Sequence, residues 1–173
     1  MHILQTGLFF GGGNMEFDCG FVRENKWFRY RAGAIIIEDG YVLFVGNERD
    51  NYLYSVGGAV HIGESAEDAV KREVFEETGA HYEIDRIAFI HENFFKGSES
   101  LDGLDCHEIS IYFLMKPNGT RNLSCNSVTQ TGERENLHWI PVDRLGEYKA
   151  FPTFLKDKIN SIGNTIEHII TRE

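Results

Sequence analysis

The order of apolar and polar positions along the chain predicts several short strands. Residues 34–37 and 41–45 are apolar runs, and residues 38–40 between them read Glu-Asp-Gly. Two apolar runs joined by an Asp-Gly pair are typical of a β-hairpin with a tight turn. Clusters of β-branched and aromatic residues predict further strands at 52–56, 84–94, 109–115 and 137–140, and a last helix is predicted at 154–170.

One segment carries the marks of an α-helix at both ends. Ser65 can cap the N-terminus of a helix through its hydroxyl group, and Gly79 can end the helix in the left-handed conformation. Between these residues, Val70 and Val74 recur at helical spacing and would face a core. The pattern therefore predicts a helix over residues 65–78.

The polar side of this helix concentrates negative charge. Glu73 lies three residues before Glu76 and four before Glu77, so the three carboxylates share one side. Neither Glu73 nor Glu77 has a lysine or arginine at pairing distance, and like charges at this spacing are destabilising. A divalent cation would resolve the repulsion, and oxygen ligands favour a hard ion such as Mg²⁺ or Mn²⁺. The alternative is a solvated acidic face, which three ordinary ion pairs support: Glu67 with Lys71, Asp68 with Arg72, and Arg72 with Glu76.

Composition restricts the classes of protein to which the chain can belong. Its 173 residues include 27 acidic and 17 basic side chains, for a net charge of −10, and its length fits one compact domain. The acidic surplus disfavours nucleic acid as a partner, and a phosphorylated substrate would need a cation as intermediary. No apolar stretch reaches the roughly 18 residues of a membrane span. Three widely spaced cysteines predict free thiols in a reducing cytoplasm.

The spacing of residues around the acidic helix narrows the choice of function. Seven residues stand at fixed intervals, namely Gly58, Glu64, Arg72, Glu73, Glu76, Glu77 and Gly79. This pattern, within residues 58–80, resembles the Nudix box, the signature of hydrolases that act on a nucleoside diphosphate linked to another moiety. The resemblance, which is to the MutT-like Nudix hydrolases, implies an α+β fold, an α/β/α sandwich with a mixed β-sheet between helices. It also implies metal-dependent hydrolysis of a phosphoanhydride bond, with water attacking phosphorus.

The same resemblance implies roles for individual residues. Mg²⁺ or Mn²⁺ would be held by one backbone carbonyl and three carboxylates, those of Gly58, Glu73, Glu76 and Glu77. Arg72 would orient a glutamate of the helix, with Glu64 as its structural partner. The general base is either a glutamate of the box or an acid on a later loop, where Glu133 is the candidate and Glu135 its close competitor. The predicted catalytic set is Glu76, Glu73, Arg72 and Glu133.

Clues to the substrate are fewer. Arg31 and Arg49 flank the predicted site and could bind phosphates, while Tyr54 could stack on a base. Relatives that cleave ADP-ribose often carry a proline somewhat beyond the box, and none lies between Gly79 and Lys116. The expected partner is therefore a small nucleoside diphosphate derivative, with ADP-ribose itself disfavoured.

The chain divides into a short leading segment and one domain. Residues 1–25 are predicted to form an N-terminal arm or an extra strand. An alternative is that translation starts at Met15, because the glycine codons just upstream of it resemble a ribosome-binding site. Residues 26–173 are predicted to form a single Nudix domain, for which a homodimer is compatible but not required. Two other functions stay open: a Nudix-fold module that binds a nucleotide without cleaving it, and a plain globular protein with an acidic helix face.

Overall fold

The computed structural model describes residues 17–47, 51–123 and 135–172, which form eleven strands and two α-helices. The strands are β1 (Gly20–Arg23), β2 (Lys26–Ile35), β3 (Ile37–Glu38), β4 (Tyr41–Asn47), β5 (Leu53–Ser55), β6 (Gly57–Ala59), β7 (Ile84–Lys96), β8 (Asp105–Met115), β9 (Glu135–Pro141), β10 (Ala150–Phe151) and β11 (Glu167–Arg172). The helices are α1 (Ala66–Thr78) and α2 (Leu155–Lys158), with 3-10 turns at Glu99–Leu101, Val142–Glu147 and Ile159–Ser161.

These strands form two mixed sheets. The first has the order β1-β2-β8-β7-β11, with β6 also paired to β2, and it contains both parallel and antiparallel neighbours. The second has the order β10-β5-β4-β3, with β9 also paired to β4. Because β6 lies against β2, the loop that leads into α1 begins directly on the first sheet.

Helices pack on both faces of the first sheet. Residues alternate between the two faces of a strand, and in β2 Ala34 packs in one core with Val70 of α1. Its neighbour Ile35 packs in a second core with Phe89 of β7 and Leu155 of α2. The predicted α+β arrangement, a mixed sheet between helices, is therefore confirmed.

The predicted hairpin and the predicted helix are both present. Asp39 and Gly40 have φ angles of 50° and 79°, as a two-residue turn with positive φ at both positions requires. At the start of α1 the Ser65 hydroxyl accepts a hydrogen bond from the Asp68 amide at 3.1 Å. At its end Gly79 is left-handed, with φ 68°, and its amide donates to the Phe75 carbonyl at 2.8 Å.

The prediction of a helix over residues 154–170 is wrong beyond its first turns. Helix α2 ends at Lys158, a 3-10 turn follows, and residues 167–172 form β11, parallel to β7. Gly163 and Asn164 interrupt the helical pattern, and the β-branched residues after them alternate between half-buried and exposed positions. Pairing with a distant strand decides the outcome, which local periodicity does not report.

The leading segment is described only from Phe17 onward. Within the predicted arm, β1 pairs antiparallel with β2, while Met15 and the residues before it lie outside the described residues. Cys19 and Cys106 are free thiols. Neither described helix is long and apolar enough to cross a membrane.

Candidate active site

The two glycines that precede α1 are both required by close contacts. At Gly57, which has φ 131°, a Cβ atom would lie 2.2 Å from the Ala32 carbonyl oxygen of β2. At Gly58, a Cβ atom would lie 2.4 Å from Oε1 of Glu73. The glycine pair therefore lets β6 approach β2 on one side and the Glu73 carboxylate on the other.

Arg72 connects the loop to the helix. Its Nε and Nη2 donate to the two carboxylate oxygens of Glu64, each at 2.9 Å, and Nη2 also donates to the Ala59 carbonyl at 3.0 Å. Its Nη1 donates to Oε1 of Glu73 at 2.6 Å. The hydrogen bond from Arg72 holds the pKa of Glu64 below its usual range, so this bidentate pair is ionised. The predicted partnership of Arg72 with Glu64 and with a helix glutamate is present.

The three helix glutamates stand in different environments. Glu76 is 57% exposed, and its Oε2 lies 3.7 Å from Nη1 of Arg72. Glu73 is half-buried, and burial raises its pKa although Arg72 opposes the shift. Glu77 is only 7% exposed and accepts a hydrogen bond from the Gly57 amide at 3.2 Å. Burial raises the pKa of Glu77 to about 8, although the positive charge of Arg31 opposes the shift, and the negative charges of Glu135 and Glu73 add to it.

Tyr54 and Glu135 meet next to this cluster. The Tyr54 hydroxyl donates a hydrogen bond to Oε1 of Glu135. Burial, and then Glu135, raise the pKa of Tyr54, so its hydroxyl stays protonated. The negative charge of Glu135 also raises the pKa of Glu77. The sequence placed Tyr54 in the site as a stacking residue, and its contact with Glu135 depends on the pairing of β5 and β9 with β4, which the sequence does not reveal.

Arg31 lies at the site but faces inward. Only 6% of it is exposed, and its guanidinium donates to the carbonyls of Ser55 and Gly57 at 2.7 and 3.1 Å. This burial does not favour the predicted contact between Arg31 and a substrate phosphate. Arg49 and Glu133, the other predicted site residues away from the helix, lie outside the described residues and stay predictions.

The donor set fits a hard divalent cation by its chemistry. Carboxylate oxygens are the ligands that Mg²⁺ and Mn²⁺ prefer, and the buried Glu77 interacts with two further negative charges, those of Glu135 and Glu73, besides the positive charge of Arg31. Within the described ranges, no three His, Cys, Asp or Glu side chains are already grouped as a metal site. Glu73 points to Arg72 and Glu77 to Gly57, so binding would require these side chains to turn.

Comparison with models of known protein families identifies the family of the chain. The model of the NUDIX domain matches residues 27–159, more than three quarters of the chain. The chain belongs to the Nudix family. Membership makes it a Nudix hydrolase, and hydrolysis of pyrophosphate bonds is the general activity that the family carries out.

Individual relatives agree with the family assignment. A MutT-like protein from Streptomyces ambofaciens is 29% identical over 121 residues, which are 69% of this chain and 67% of that protein. The MutT protein from Methanosarcina mazei has a similar structure, with a TM-score of 0.60 and 20% identity over 80% of this chain and 99% of that one. An ADP-ribose pyrophosphatase from Streptococcus suis is also similar, with a TM-score of 0.53 and 15% identity over 83% of this chain and 98% of that one. The two structural likenesses show that the fold is shared.

Proposed function

We propose that the chain hydrolyses the phosphoanhydride bond of a nucleoside diphosphate linked to another moiety, with the help of Mg²⁺ or Mn²⁺. The observation that carries the proposal is the Glu77 carboxyl, which is only 7% exposed and is hydrogen-bonded to the Gly57 amide of the loop. Its burial raises its pKa to about 8 although Arg31 opposes the shift. Such a buried carboxyl favours a cation on electrostatic grounds, because a bound cation would restore the ionised form of Glu77. The alternative of a merely solvated acidic face is disfavoured, since Glu77 is not solvated.

In this proposal the ion is held by oxygen atoms of the box, those of Gly58, Glu73, Glu76 and Glu77. When bound, a divalent ion lowers the pKa of coordinated water and neutralises charge on the phosphate that is attacked. Arg72 has a supporting role, because its guanidinium pairs with Glu64 of the loop and with Glu73 of the helix and so connects the two elements.

The general base is a choice between glutamates. Glu76 is exposed and free to turn toward a water molecule. Glu135 is supported by its closeness to Glu77 and by the hydrogen bond from Tyr54, which orients its carboxylate. Glu133 stays a candidate on the basis of the sequence. The variants E133Q and E135Q separate the three candidates. Loss of about 10²-fold or more in kcat in one variant identifies that residue as the base, and little change in both variants identifies Glu76.

The substrate class rests on charge and on the relatives. Two structurally similar proteins, the ADP-ribose pyrophosphatase and a UDP-X diphosphatase, are named after nucleoside diphosphate derivatives. We propose that the substrate of this chain belongs to the same class. Arg49 is retained as a phosphate contact and Tyr54 as a wall of the site. A homodimer and a cytoplasmic location stay predictions.

The test is a panel of substrates incubated with the protein and Mg²⁺. It contains nucleoside triphosphates, nucleotide sugars, ADP-ribose and dinucleoside polyphosphates, and products are identified by mass. We expect cleavage between two phosphorus atoms of at least one compound, no cleavage in EDTA, and loss of cleavage in the E76Q variant. Binding of a nucleotide without any cleavage would instead support the alternative, a nucleotide-binding module.

A further inference from the structure

Arg31 is a fully engaged arginine buried beneath the glycine pair. Its Nη2 donates to the carbonyls of Ser55 and Gly57, and its Nη1 lies 3.3 Å from the Ser55 hydroxyl and 3.2 Å from the Tyr112 hydroxyl. Burial of a guanidinium is unfavourable unless its donors are satisfied. The sequence provides the space for it at Gly33, where a Cβ atom would lie 2.5 Å from the Tyr112 ring and 2.8 Å from Nη1 of Arg31.

The contacts of Arg31 converge on one residue of the loop. Gly57 is held on both of its polar groups, because its carbonyl accepts from Arg31 at 3.1 Å and its amide donates to Glu77 at 3.2 Å. Gly57 also has φ 131°, a conformation open to glycine but rarely adopted by residues with a side chain. The next residue is Gly58, whose carbonyl belongs to the proposed metal site.

We propose that Arg31 is a positioning residue that fixes the backbone of Gly57 and Gly58, and through it the oxygen atoms that hold the metal. Arg31 touches neither metal nor substrate in this role. The inference rests on the proposed function, because it assigns a role relative to the proposed metal site. It replaces the contact with substrate phosphate that the sequence suggested for Arg31.

The role requires the shape of arginine and not only its charge. A planar guanidinium can donate to several acceptors at once in fixed directions, while a lysine ammonium is a single point donor on a flexible stem. Arg31 holds the carbonyl of Ser55 in β5 and that of Gly57 in β6 together with one nitrogen, and holds Tyr112 of β8 with the other. A lysine at this position would keep the charge but lose the bridge.

The test compares the full chain with the variants R31K and R31M. Binding of Mn²⁺ alone is measured by isothermal titration, and KM and kcat are measured at saturating Mn²⁺. Loss of a residue that supports metal ligands typically weakens metal affinity by about 10- to 100-fold, and we expect a loss in this range for both variants. We expect KM at saturating Mn²⁺ to stay within about twofold of the parent value, because Arg31 does not touch the substrate.

A matched control is R29M. Arg29 lies two residues before Arg31 on the same face of β2, and its guanidinium pairs with Glu108 at 2.8 Å and lies over the ring of Trp27. This variant removes an arginine–carboxylate pair on the same strand, although Arg29 is more exposed than Arg31, and we expect unchanged Mn²⁺ affinity. If R31M does not fold, R31K and the milder variant Y112F, which removes one acceptor of Arg31, provide the same measurement.

The outcomes separate this inference from the proposed function. Parent-like Mn²⁺ affinity in R31K together with a raised KM would overturn the positioning role and restore substrate contact. Absence of Mn²⁺ binding by the parent protein would instead overturn the proposed metal site. In that case the amide NMR spectrum of the metal-free protein still tests whether Arg31 positions the loop backbone. Shifted resonances of Gly57 and Gly58 in R31K would support the positioning role, and unchanged resonances would refute it.

Discussion

Gly57 and Gly58 are adjacent in the chain, yet a methyl group would meet different neighbours at each. At Gly57 it would meet the Ala32 carbonyl, which is backbone and cannot yield, and φ 131° is strained for any other residue. At Gly58 it would meet the carboxylate of Glu73, the far end of a side chain that can turn away. The first glycine therefore serves the fold and the second serves the site.

This difference predicts opposite phenotypes for two alanine variants. We expect G57A to lose about 3 kcal/mol or more of unfolding free energy, as clashes at strained backbone positions do. G58A should lose less than about 1 kcal/mol but bind Mn²⁺ about 10-fold more weakly, since Glu73 is displaced. Urea unfolding and isothermal titration measure the two effects. Equal stability losses in both variants would contradict this division of roles.

The buried carboxyl of Glu77 predicts a stability that depends on pH. Its pKa in the folded protein is about 8 against an ordinary value of 4.5, so folding favours the neutral form. A carboxyl with a raised pKa stabilises the metal-free protein fully at low pH and loses that contribution as pH rises through about 8. E77Q cannot ionise, and its amide oxygen can still accept from Gly57. In EDTA we expect E77Q to be more stable than the parent at pH 8, by on the order of 1–3 kcal/mol.

Two measurements check this expectation. Thermal unfolding in EDTA at several pH values between about 5 and 8 should show the gap between E77Q and parent widen with pH. Addition of Mn²⁺ at pH 8 should raise the melting temperature of the parent and leave that of E77Q nearly unchanged. A gap that narrows with rising pH would mean that Glu77 is stabilised in its ionised form.

Residue types were predictable from the sequence, and side-chain surroundings were not. The intervals between Gly58 and Gly79 were sufficient to identify the box glutamates and the Arg72–Glu64 pair. Alternation along β2 indicates that Arg31 and Ala32 lie on opposite faces, but whether the Arg31 face is buried depends on Tyr112 of β8, a strand more than 70 residues later. The sequence therefore indicated Arg31 as a residue near the site but did not indicate that its side chain is buried.

At the scale of elements, α1 is the part of the fold that depends least on distant contacts. Its limits follow from a cap, a glycine stop and one apolar side, all within fifteen residues. Strand β11 is the opposite case, because β-branched residues near the end of the chain also fit a helical pattern. Its strand conformation is decided by parallel pairing with β7, about 75 residues away. Local signals were enough for α1 and insufficient for β11.

The cap of α1 predicts a loss of stability without a loss of metal binding. The Ser65 hydroxyl accepts from the Asp68 amide at 3.1 Å, at the end of the helix away from Glu76 and Glu77. We expect S65A to lose about 1 kcal/mol, equivalent to a fall of about 2–4 °C in melting temperature for a chain of this size. S65T, which keeps a hydroxyl acceptor, is the control. A fall in the Mn²⁺ affinity of S65A beyond about twofold would show that the cap also aligns the carboxylates.

At the scale of the whole molecule, the net charge of −10 opposes the approach of an anionic nucleotide. Within the proposed site the buried charge of Arg31 is spent on loop carbonyls, and Arg72 is divided between Glu64 and Glu73. The donors of both guanidinium groups are therefore already engaged and are not free to bind a phosphate directly. In the proposed mechanism, bound divalent metal would supply the attraction for phosphate.

This electrostatic balance predicts that salt has opposite effects with and without metal. In EDTA, raising NaCl from about 0.01 M to about 0.1 M shortens the screening length from about 30 Å to about 10 Å and weakens the long-range repulsion. A non-hydrolysable nucleoside diphosphate analogue should then associate faster, by roughly two- to fivefold. With saturating Mg²⁺ the same change should leave association unchanged or slow it. Stopped-flow fluorescence measures both rates, and slower association in EDTA at higher salt would reveal a cationic entrance that attracts phosphate without metal.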